Sequence, residues 1–363
     1  MTRRPSSRPD PTKLLLLAVS IVAALILCEI LARGLPWAVL HPPIPDYAWM
    51  AYDPLLGMVN VPGFAANRPR IGSTRARGSL AVNPAGFRGP PIQESKPALR
   101  IACLGDSSTF GIWLESGHAG FPDADFRLGS NYPARLAHRL RADGIDAEVI
   151  NAGVLGYHVG HGFRQLRLKI LPLRPDIVVL RFGFNEHAFA GAATHVQDPR
   201  AFVPRTVFDA VDDLVLTQLL LARVRRSVVI PAVAVERFEE TLTSMIARTR
   251  AQHATVLLLD YPLRPLAQGL RATAALPFLG AASTLEELHE RHARYQEALR
   301  TVAQREGVPL VETASALAHT ERPVFSDADL VHPNARGAAV IARQLARALR
   351  TRSVREDREL ALP

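Results

Sequence analysis

Five short apolar runs recur along the chain from residue 100 onward, and each is continuous rather than alternating with polar residues. Strands of a parallel sheet are covered on both faces, so they contain such continuous runs of Val, Ile and Leu. The pattern therefore predicts five buried strands. They fall at "RIACLG" (100–105), "AEVIN" (147–151), "DIVVLRF" (176–182), "TVLLLD" (255–260) and "VPLVE" (308–312).

Between these runs, apolar residues recur at three- and four-residue spacing, which is the period of an amphipathic helix. In "FRQLRLKIL" (163–171), for example, Phe163, Leu166 and Ile170 fall on one face. Strand and helix thus alternate along the chain. This order predicts an α/β domain over residues 100–351, in which a parallel sheet lies between two layers of helices.

The N-terminus has the pattern of a membrane segment. Four basic residues precede the apolar run "LLLLAVSIVAALILC" (14–28), and apolar residues continue after Glu29. About 20 residues are enough to cross a bilayer, so we predict a transmembrane signal anchor at 14–37. Because the positive charge lies before it, residues 1–13 are expected to stay in the cytoplasm and the remainder to be exported. The alternative is a cleaved signal peptide, which would release a secreted protein.

Three regions lack a clear period. Residues 38–99 are rich in Pro, Gly and Arg, and we predict turns on an extended stalk. Residues 187–235 are an insertion in the α/β domain, in which "LVLTQLLLARVRR" (214–226) is a helix that either packs on the domain or covers it as a lid. The charged end of the chain, 352–363, is predicted to be disordered.

Composition narrows the function further. The net charge is +9, but only three of the 43 basic residues are lysine and the arginines are scattered. Without a recognised motif, such a spread of charge does not indicate nucleic-acid binding. The chain has two cysteines, Cys28 and Cys103, and therefore no disulfide framework within the folded part.

Four histidines, His158, His161, His187 and His195, fall near the ends of predicted strands and raise the question of a zinc site. Their spacing matches no known set of zinc ligands, and no cysteine assists them. We therefore expect neither a metal nor another cofactor.

In parallel sheets, ligands bind at the carboxyl ends of the strands, so the residues that follow each run deserve most weight. Ser107 follows the first strand, where the start of a helix would favour a developing negative charge. His332 could take its proton as a base, and Asp329 is close enough in sequence to orient the imidazole. These three residues are our candidate catalytic residues.

Ester hydrolysis also needs donors for an oxyanion. The candidates are the backbone N–H groups of Ser107 and Gly156 and the side-chain amide of Asn185. A competing interpretation is that Ser107, Ser108 and Thr109 only cap a helix. The Asp-x-x-His sequence downstream favours catalysis, and we expect it to depend on Ser107 rather than on Ser108.

These residues resemble the SGNH, or GDSL, hydrolases, which are serine esterases and acylhydrolases on a flavodoxin-like sheet. The similarity covers about residues 100–350 and consists of four blocks in order. The blocks are "GDS" (105–107), "NAGVLG" (151–156), "GFN" (183–185) and "DLVH" (329–332). The resemblance implies the same triad and the same oxyanion donors. One departure is Glu186, which stands where the third block usually has Asp.

The phrase "NPAGFRG" (83–89) is similar to the membrane-anchored, exported branch of this family, whose members often occur beside envelope or exopolysaccharide functions. The resemblance implies an exported serine esterase that deacylates, and specifically deacetylates, an envelope or extracellular carbohydrate ester. Two alternatives stay open: an O-acyltransferase that uses the same acyl-enzyme, and a non-catalytic assembly or carbohydrate-binding protein on this scaffold. The expected partners are an acylated small molecule or polysaccharide and the membrane.

Overall fold

The computed structural model describes residues 10–35, 44, 47–53, 55–71, 74–115, 123–126, 131–188, 214, 233–265, 284–325 and 329–350. The tail predicted at 352–363 lies outside these ranges, as do residues 1–9 and most of the insertion predicted at 187–235. The helix predicted within that insertion is outside them too, except for Leu214.

The first helix, α1 (Pro11–Arg33), has the length and composition of a membrane span, with a mean hydropathy of 2.9 in its most apolar part. Asp10 caps it by accepting a hydrogen bond from Thr12 N. Proline is well placed at the start of a helix, where its missing N–H has no intrahelical partner to lose. The helix begins three residues before the predicted 14–37 and ends earlier. It is a candidate membrane anchor or signal sequence, and its orientation stays a prediction.

The region after α1 contains three pairs of short antiparallel strands, β1 with β2, β3 with β6 and β4 with β5. Their bounds are β1 (Met50–Asp53), β2 (Gly57–Asn60), β3 (Ala65–Asn67), β4 (Arg70–Ile71), β5 (Thr74–Arg75) and β6 (Ser79–Ala81). Trp49, Leu80 and Phe87 are at most 2% exposed and belong to the main hydrophobic core. The extended stalk predicted at 38–99 is therefore wrong for the described part, because its turns fold the chain back onto the α/β domain.

The α/β domain follows the predicted alternation. Its elements are β7 (Leu99–Gly105), α2 (Ser107–Phe110), β8 (Trp113–Glu115), β9 (Asp123–Asp125), α3 (Tyr132–Ala142), β10 (Ala147–Gly153), α4 (Val159–Gln165), β11 (Ile177–Arg181), α5 (Asn185–Ala188), α6 (Val235–Arg250), β12 (Thr255–Leu259), α7 (Leu285–Glu306), β13 (Leu310–Val311), α8 (Ala314–Ala318) and α9 (Ala335–Arg350). A π-helical turn, Leu166–Ile170, continues α4, so the helix predicted at 163–171 begins earlier and changes its winding midway.

Five parallel strands form the central sheet in the order β10-β7-β11-β12-β13. This order is the 2-1-3-4-5 arrangement of flavodoxin-like folds. The fold prediction is thus confirmed. The chain adds β10 on one side of β7 and then β11 on the other, so the strand order reverses at β7. Sheets of this kind bind their ligands at the carboxyl ends of the strands at this point.

Successive residues of each strand point to opposite faces, and each face has its own core. Ala102 and Leu104 of β7 pack in the cluster that includes α6 and α7, whereas Ile101 and Cys103 pack in the cluster that includes α3 and α9. Both sides need apolar residues, which explains why the strands are continuous apolar runs. The register pairs Gly105 with Gly153 on one side and with Arg181 on the other, so three strands end at one level.

Candidate active site

A tight turn after β7 places Ser107 at the start of a helix. The Asp106 side chain caps α2 by accepting a hydrogen bond from Ser108 N at 2.9 Å. Ser107 is the first residue of α2, and its hydroxyl is not the cap. The interpretation in which Ser107, Ser108 and Thr109 only cap a helix is therefore wrong, because Asp106 has that role.

Ser107, His332 and Asp329 form a continuous chain of hydrogen bonds. Ser107 Oγ lies 2.8 Å from His332 Nε2, although 225 residues separate the two in sequence. Nδ1 of the same ring lies 2.9 Å from Asp329 Oδ2. The fold thus brings together the serine, the histidine and the carboxylate that the sequence singled out. In this arrangement the imidazole can accept the hydroxyl proton at one nitrogen while the carboxylate fixes the other.

The surroundings of His332 tune its basicity. Asp329 is fully buried, and its Oδ1 also accepts hydrogen bonds from Val331 N at 2.9 Å and from His332 N at 3.0 Å. Burial by itself lowers the pKa of His332, but the charge of Asp329 and its hydrogen bond raise it, and the net pKa lies above its usual value. The carboxylate therefore both orients the ring and stabilises its protonated form.

The predicted oxyanion donors lie on three separate segments. The N–H of Ser107 is one of the first N–H groups of α2, which have no partner within the helix. Gly156 follows β10 in a turn with φ of +74°, a left-handed conformation that suits glycine. Asn185 begins α5, and its Nδ2 donates to Tyr157 O at 2.8 Å and to Asp106 Oδ2 at 3.3 Å. The amide thus connects the turn of Gly156 to the residue before Ser107.

A family model for GDSL-like lipases and acylhydrolases matches residues 103–340, which is more than half of the chain. The chain belongs to this GDSL-like lipase/acylhydrolase family. Members of this family hydrolyse ester bonds, so the protein is an ester hydrolase. The resemblance drawn from the four sequence blocks is confirmed.

Solved structures with a similar fold include a lipase/acylhydrolase from Enterococcus faecalis, with 16% identity over 69% of this chain and 95% of that chain and a TM-score of 0.43. An alpha/beta hydrolase enzyme from the metagenome of Lake Arreo, Spain, has 21% identity over 70% of this chain and 96% of that one, with a TM-score of 0.42. An acetylxylan esterase from Geobacillus stearothermophilus has 16% identity, coverages of 71% and 97%, and a TM-score of 0.43. No curated protein matches the chain at a significant level.

Beneath Ser107 of this acylhydrolase, Asp106 is the centre of a buried polar network. Its Oδ1 accepts a hydrogen bond from Ser108 Oγ at 2.8 Å, and its Oδ2 accepts one from Tyr261 Oη at 2.9 Å. Ser108 Oγ in turn accepts a hydrogen bond from Arg181 Nη1 at 2.8 Å. Asp106 therefore links the turn of Ser107, the amide of Asn185 and the ends of two further strands.

Arg181 and Tyr261 were not singled out from the sequence. Both lie at the carboxyl end of a strand, which is the signal that could have found them. Arg181 is fully buried, and its guanidinium lies 4.5 Å from the centre of the Tyr261 ring. In the sequence, Arg181 is a single charged residue in an otherwise apolar strand. The fold shows that its side chain belongs to the polar network under Ser107.

Glu186, the departure from the family's third block, has a defined structural role. One carboxyl oxygen accepts a hydrogen bond from Val159 N at 2.8 Å and the other from Gly183 N at 2.9 Å. The longer side chain thus ties the third block to the N-terminus of α4, which follows the second block. Burial raises the pKa of Glu186 to about 8, although these N–H donors act in the opposite direction.

The histidines considered as zinc ligands have other partners. His158 caps α4 by accepting a hydrogen bond from Gly160 N at 3.0 Å, and its own N–H donates to Nδ1 of His161 at 3.4 Å. His187 lies beside His292, with 3.2 Å between Nε2 and Nδ1. Burial lowers the pKa of His187 to about 3 and that of His292 to about 4. His195 lies outside the described residues.

Proposed function

We propose that the chain is a serine esterase in which Ser107 is the nucleophile, His332 the general base and Asp329 the residue that orients the base. One observation carries the proposal: the unbroken hydrogen-bonded chain from Ser107 Oγ through both ring nitrogens of His332 to Asp329. These separations lie within the range in which proton transfer can take place without further rearrangement. A serine that only capped a helix would have no need of a buried imidazole and carboxylate.

The reaction follows from this geometry. As Ser107 Oγ attacks the carbonyl carbon of an ester, Nε2 of His332 takes its proton, and the carbonyl π electrons move to the oxygen. The N–H groups of Ser107 and Gly156 and the amide of Asn185 donate to that oxyanion. When the intermediate collapses, the protonated His332 gives its proton to the leaving alcohol oxygen. Water then attacks the acyl-enzyme with the same assistance, which releases the acid and restores Ser107.

The expected substrate is a carbohydrate ester outside the cytoplasm, with acetyl as the first acyl group to test. The one-sided basic charge before α1 supports export, and the hydropathy of α1 supports a membrane anchor. An enzyme held at the outer face of a membrane meets the acylated saccharides of the envelope. The catalytic domain would then act on polymers or their precursors close to that surface.

The test is covalent labelling of the purified full-length protein with a fluorophosphonate, followed by a screen of acetylated sugars. We expect labelling of the parental protein at Ser107 and none in Ser107→Ala. Release of free acetate from an acetylated sugar would support hydrolysis. An absence of labelling in the folded parental protein would overturn the proposal, and transfer of acetyl to an added sugar in place of its release would identify an acyltransferase.

A further inference from the structure

Arg88, from the segment that precedes the α/β domain, reaches the helix that carries Ser107. Its side chain is 9% exposed, and Nη1 donates to Phe110 O at 2.6 Å and to Gly111 O at 2.8 Å. Phe110 is the last residue of α2, and Gly111 caps it. The guanidinium therefore binds the C-terminal end of the helix whose first residue is Ser107.

Helix α2 is one turn long, with bounds Ser107–Phe110. Isolated helices need about 12 to 15 residues to be even marginally stable, so a single turn depends on its surroundings. The last carbonyls of a helix have no partner within it, and cationic side chains bind them well. Arg88 supplies such a partner at one end of α2, as Asp106 does at the other.

Packing around Arg88 also fixes Phe110. The guanidinium lies 5.1 Å from the centre of the Phe110 ring and 5.4 Å from that of Phe126, and Trp49 stacks on Phe110 at 6.3 Å. The Asn151 side chain donates to Phe110 O at 3.2 Å. The end of α2 is therefore enclosed by groups from the N-terminal segment and from β10.

We propose that Arg88 is a positioning residue for Ser107. By fixing the C-terminal end of α2, Arg88 holds the Ser107 hydroxyl at the correct distance from His332. This inference rests on the proposed function of Ser107. A displacement of about 1 Å can reduce catalysis about 100-fold, and a one-turn helix transmits movement of its last residue directly to its first. Arg88 lies before residues 103–340, so the family match does not include it.

A second buried arginine provides a matched control. Arg100 is 5% exposed, pairs with Glu148 at 2.6 Å, and donates to Leu173 O at 2.8 Å and to Gln93 O at 2.9 Å. It lies near the opposite end of β7 from Ser107. Arg100→Ala thus removes a comparable set of buried contacts without touching α2, and separates loss of stability from loss of position.

The experiment compares full-length Arg88→Ala, Arg88→Lys and Arg100→Ala with the parental protein. The first readout is the melting temperature of each protein. The others are kcat and KM for a p-nitrophenyl ester and the rate of fluorophosphonate labelling, measured below the lowest of these melting temperatures. For Arg88→Ala we expect kcat and the labelling rate to fall about 100-fold with KM little changed. Arg88→Lys should recover part of the loss, since lysine supplies charge but not the forked donor geometry. Arg100→Ala should melt earlier with parental kcat.

Added guanidinium gives a second readout that a purely structural role would not move. At millimolar concentration it should raise kcat of Arg88→Ala and leave Arg100→Ala unchanged. Parental kcat in folded Arg88→Ala, or equal losses in Arg88→Ala and Arg100→Ala, would overturn the inference. If Arg88→Ala does not fold, Arg88→Lys decides, and parental kcat and labelling in it would overturn the inference. Failure of the parental protein to label would instead overturn the proposed function.

Discussion

Asn185 donates its side-chain amide to Asp106, with 3.3 Å between Nδ2 and Oδ2 and 79 residues between the two in sequence. The second amide hydrogen donates to Tyr157 O at the shorter distance of 2.8 Å. An oxyanion bound by Asn185 must therefore replace one of these acceptors. The longer bond, to Asp106, is the one that an incoming negative charge would displace most easily. If Asn185 is the oxyanion donor that we propose, the site holds the amide in place at rest and exchanges its longer hydrogen bond for one to the oxyanion.

The first prediction separates the two adjacent serines. Ser107→Ala should abolish labelling and ester hydrolysis in a protein that still folds, because it removes the hydroxyl that lies 2.8 Å from His332 Nε2. Ser108→Ala should keep the nucleophile and its labelling, but it removes the acceptor of Arg181 Nη1 and should cost about 1 to 3 kcal/mol of stability. Labelling and thermal denaturation of both variants check this, and equal labelling of the two would refute the assignment of Ser107.

The second prediction concerns the pH dependence set by His332 and Asp329. A base must be unprotonated to act, so kcat/KM should rise with pH through a midpoint above the ordinary histidine value of ~6.5, in line with the raised pKa of His332. In Asp329→Asn the stabilising charge is gone, so the midpoint should move to lower pH while kcat falls by up to about 10,000-fold. The pH profiles of both proteins test this. A midpoint that stays in place would show that Asp329 does not act on His332.

The third prediction concerns Glu186. Its pKa is about 8 in the fold, against 4.5 ordinarily. Between these values the folded protein keeps a proton that the unfolded chain has lost, so a rise in pH within this window should destabilise the fold, by up to about 1.4 kcal/mol per pH unit. Below a pH of 4.5 the carboxyl group of Glu186 is protonated in both the folded and the unfolded chain, so its contribution to the free energy of unfolding is constant.

Glu186→Gln cannot titrate and should lose this dependence, although its amide nitrogen no longer accepts one of the two N–H groups. Chemical denaturation at several pH values between 5 and 8 compares the two slopes, which should differ by on the order of one proton, since the buried histidines contribute equally to both proteins. Parallel curves would contradict the prediction.

The fourth prediction concerns the segment before the α/β domain. A chain without residues 1–43 should fold and label, because it keeps the buried Trp49, Leu80 and Phe87. A chain without residues 1–98 loses them and exposes the core that they cover, so it should aggregate or unfold. Soluble yield and thermal denaturation distinguish the two. A stable, active protein that begins at Leu99 would restore the stalk interpretation.

The fifth prediction is the topology. With its N-terminal arginines retained in the cytoplasm, the chain should place everything after α1 outside. A reporter fused after Pro363 that is active only outside the cytoplasm should then give signal, and a reporter that needs the cytoplasm should not. The reverse pattern would overturn the predicted orientation. Association with membranes that resists high salt and is released by detergent separately distinguishes an anchor from a cleaved signal.

Sequence reasoning located the sheet because its strands obey a local rule. A strand covered on both faces must be apolar throughout, and β7, β10, β11 and β12 lie within two residues of their predicted bounds. The residues at the strand ends followed from the topology alone. This is why Ser107 and Asn185 could be selected before their distances were known. The Asp329–His332 pair lies well beyond the end of β13 and was selected by its Asp-x-x-His spacing.

The N-terminal segment escaped prediction for the opposite reason. Its strands are two to four residues long, which is too short for a period to appear. Their burial depends on distant partners, as when the Asn60 side chain donates to Gly153 O at 3.2 Å. Similarly, nothing local marks Arg88 as buried, since arginine is abundant throughout the chain. Such contacts become visible only when the tertiary structure is known.

Gly153, the last residue of β10, sets a limit on how the enzyme can vary. A Cβ atom there would lie 2.1 Å from the backbone nitrogen of Phe110, so even alanine would force α2 away from the strand. In a saturation library selected for esterase activity, position 153 should therefore accept glycine alone. The close contact between Gly153 and Phe110 therefore fixes the distance between β10 and the helix that carries Ser107.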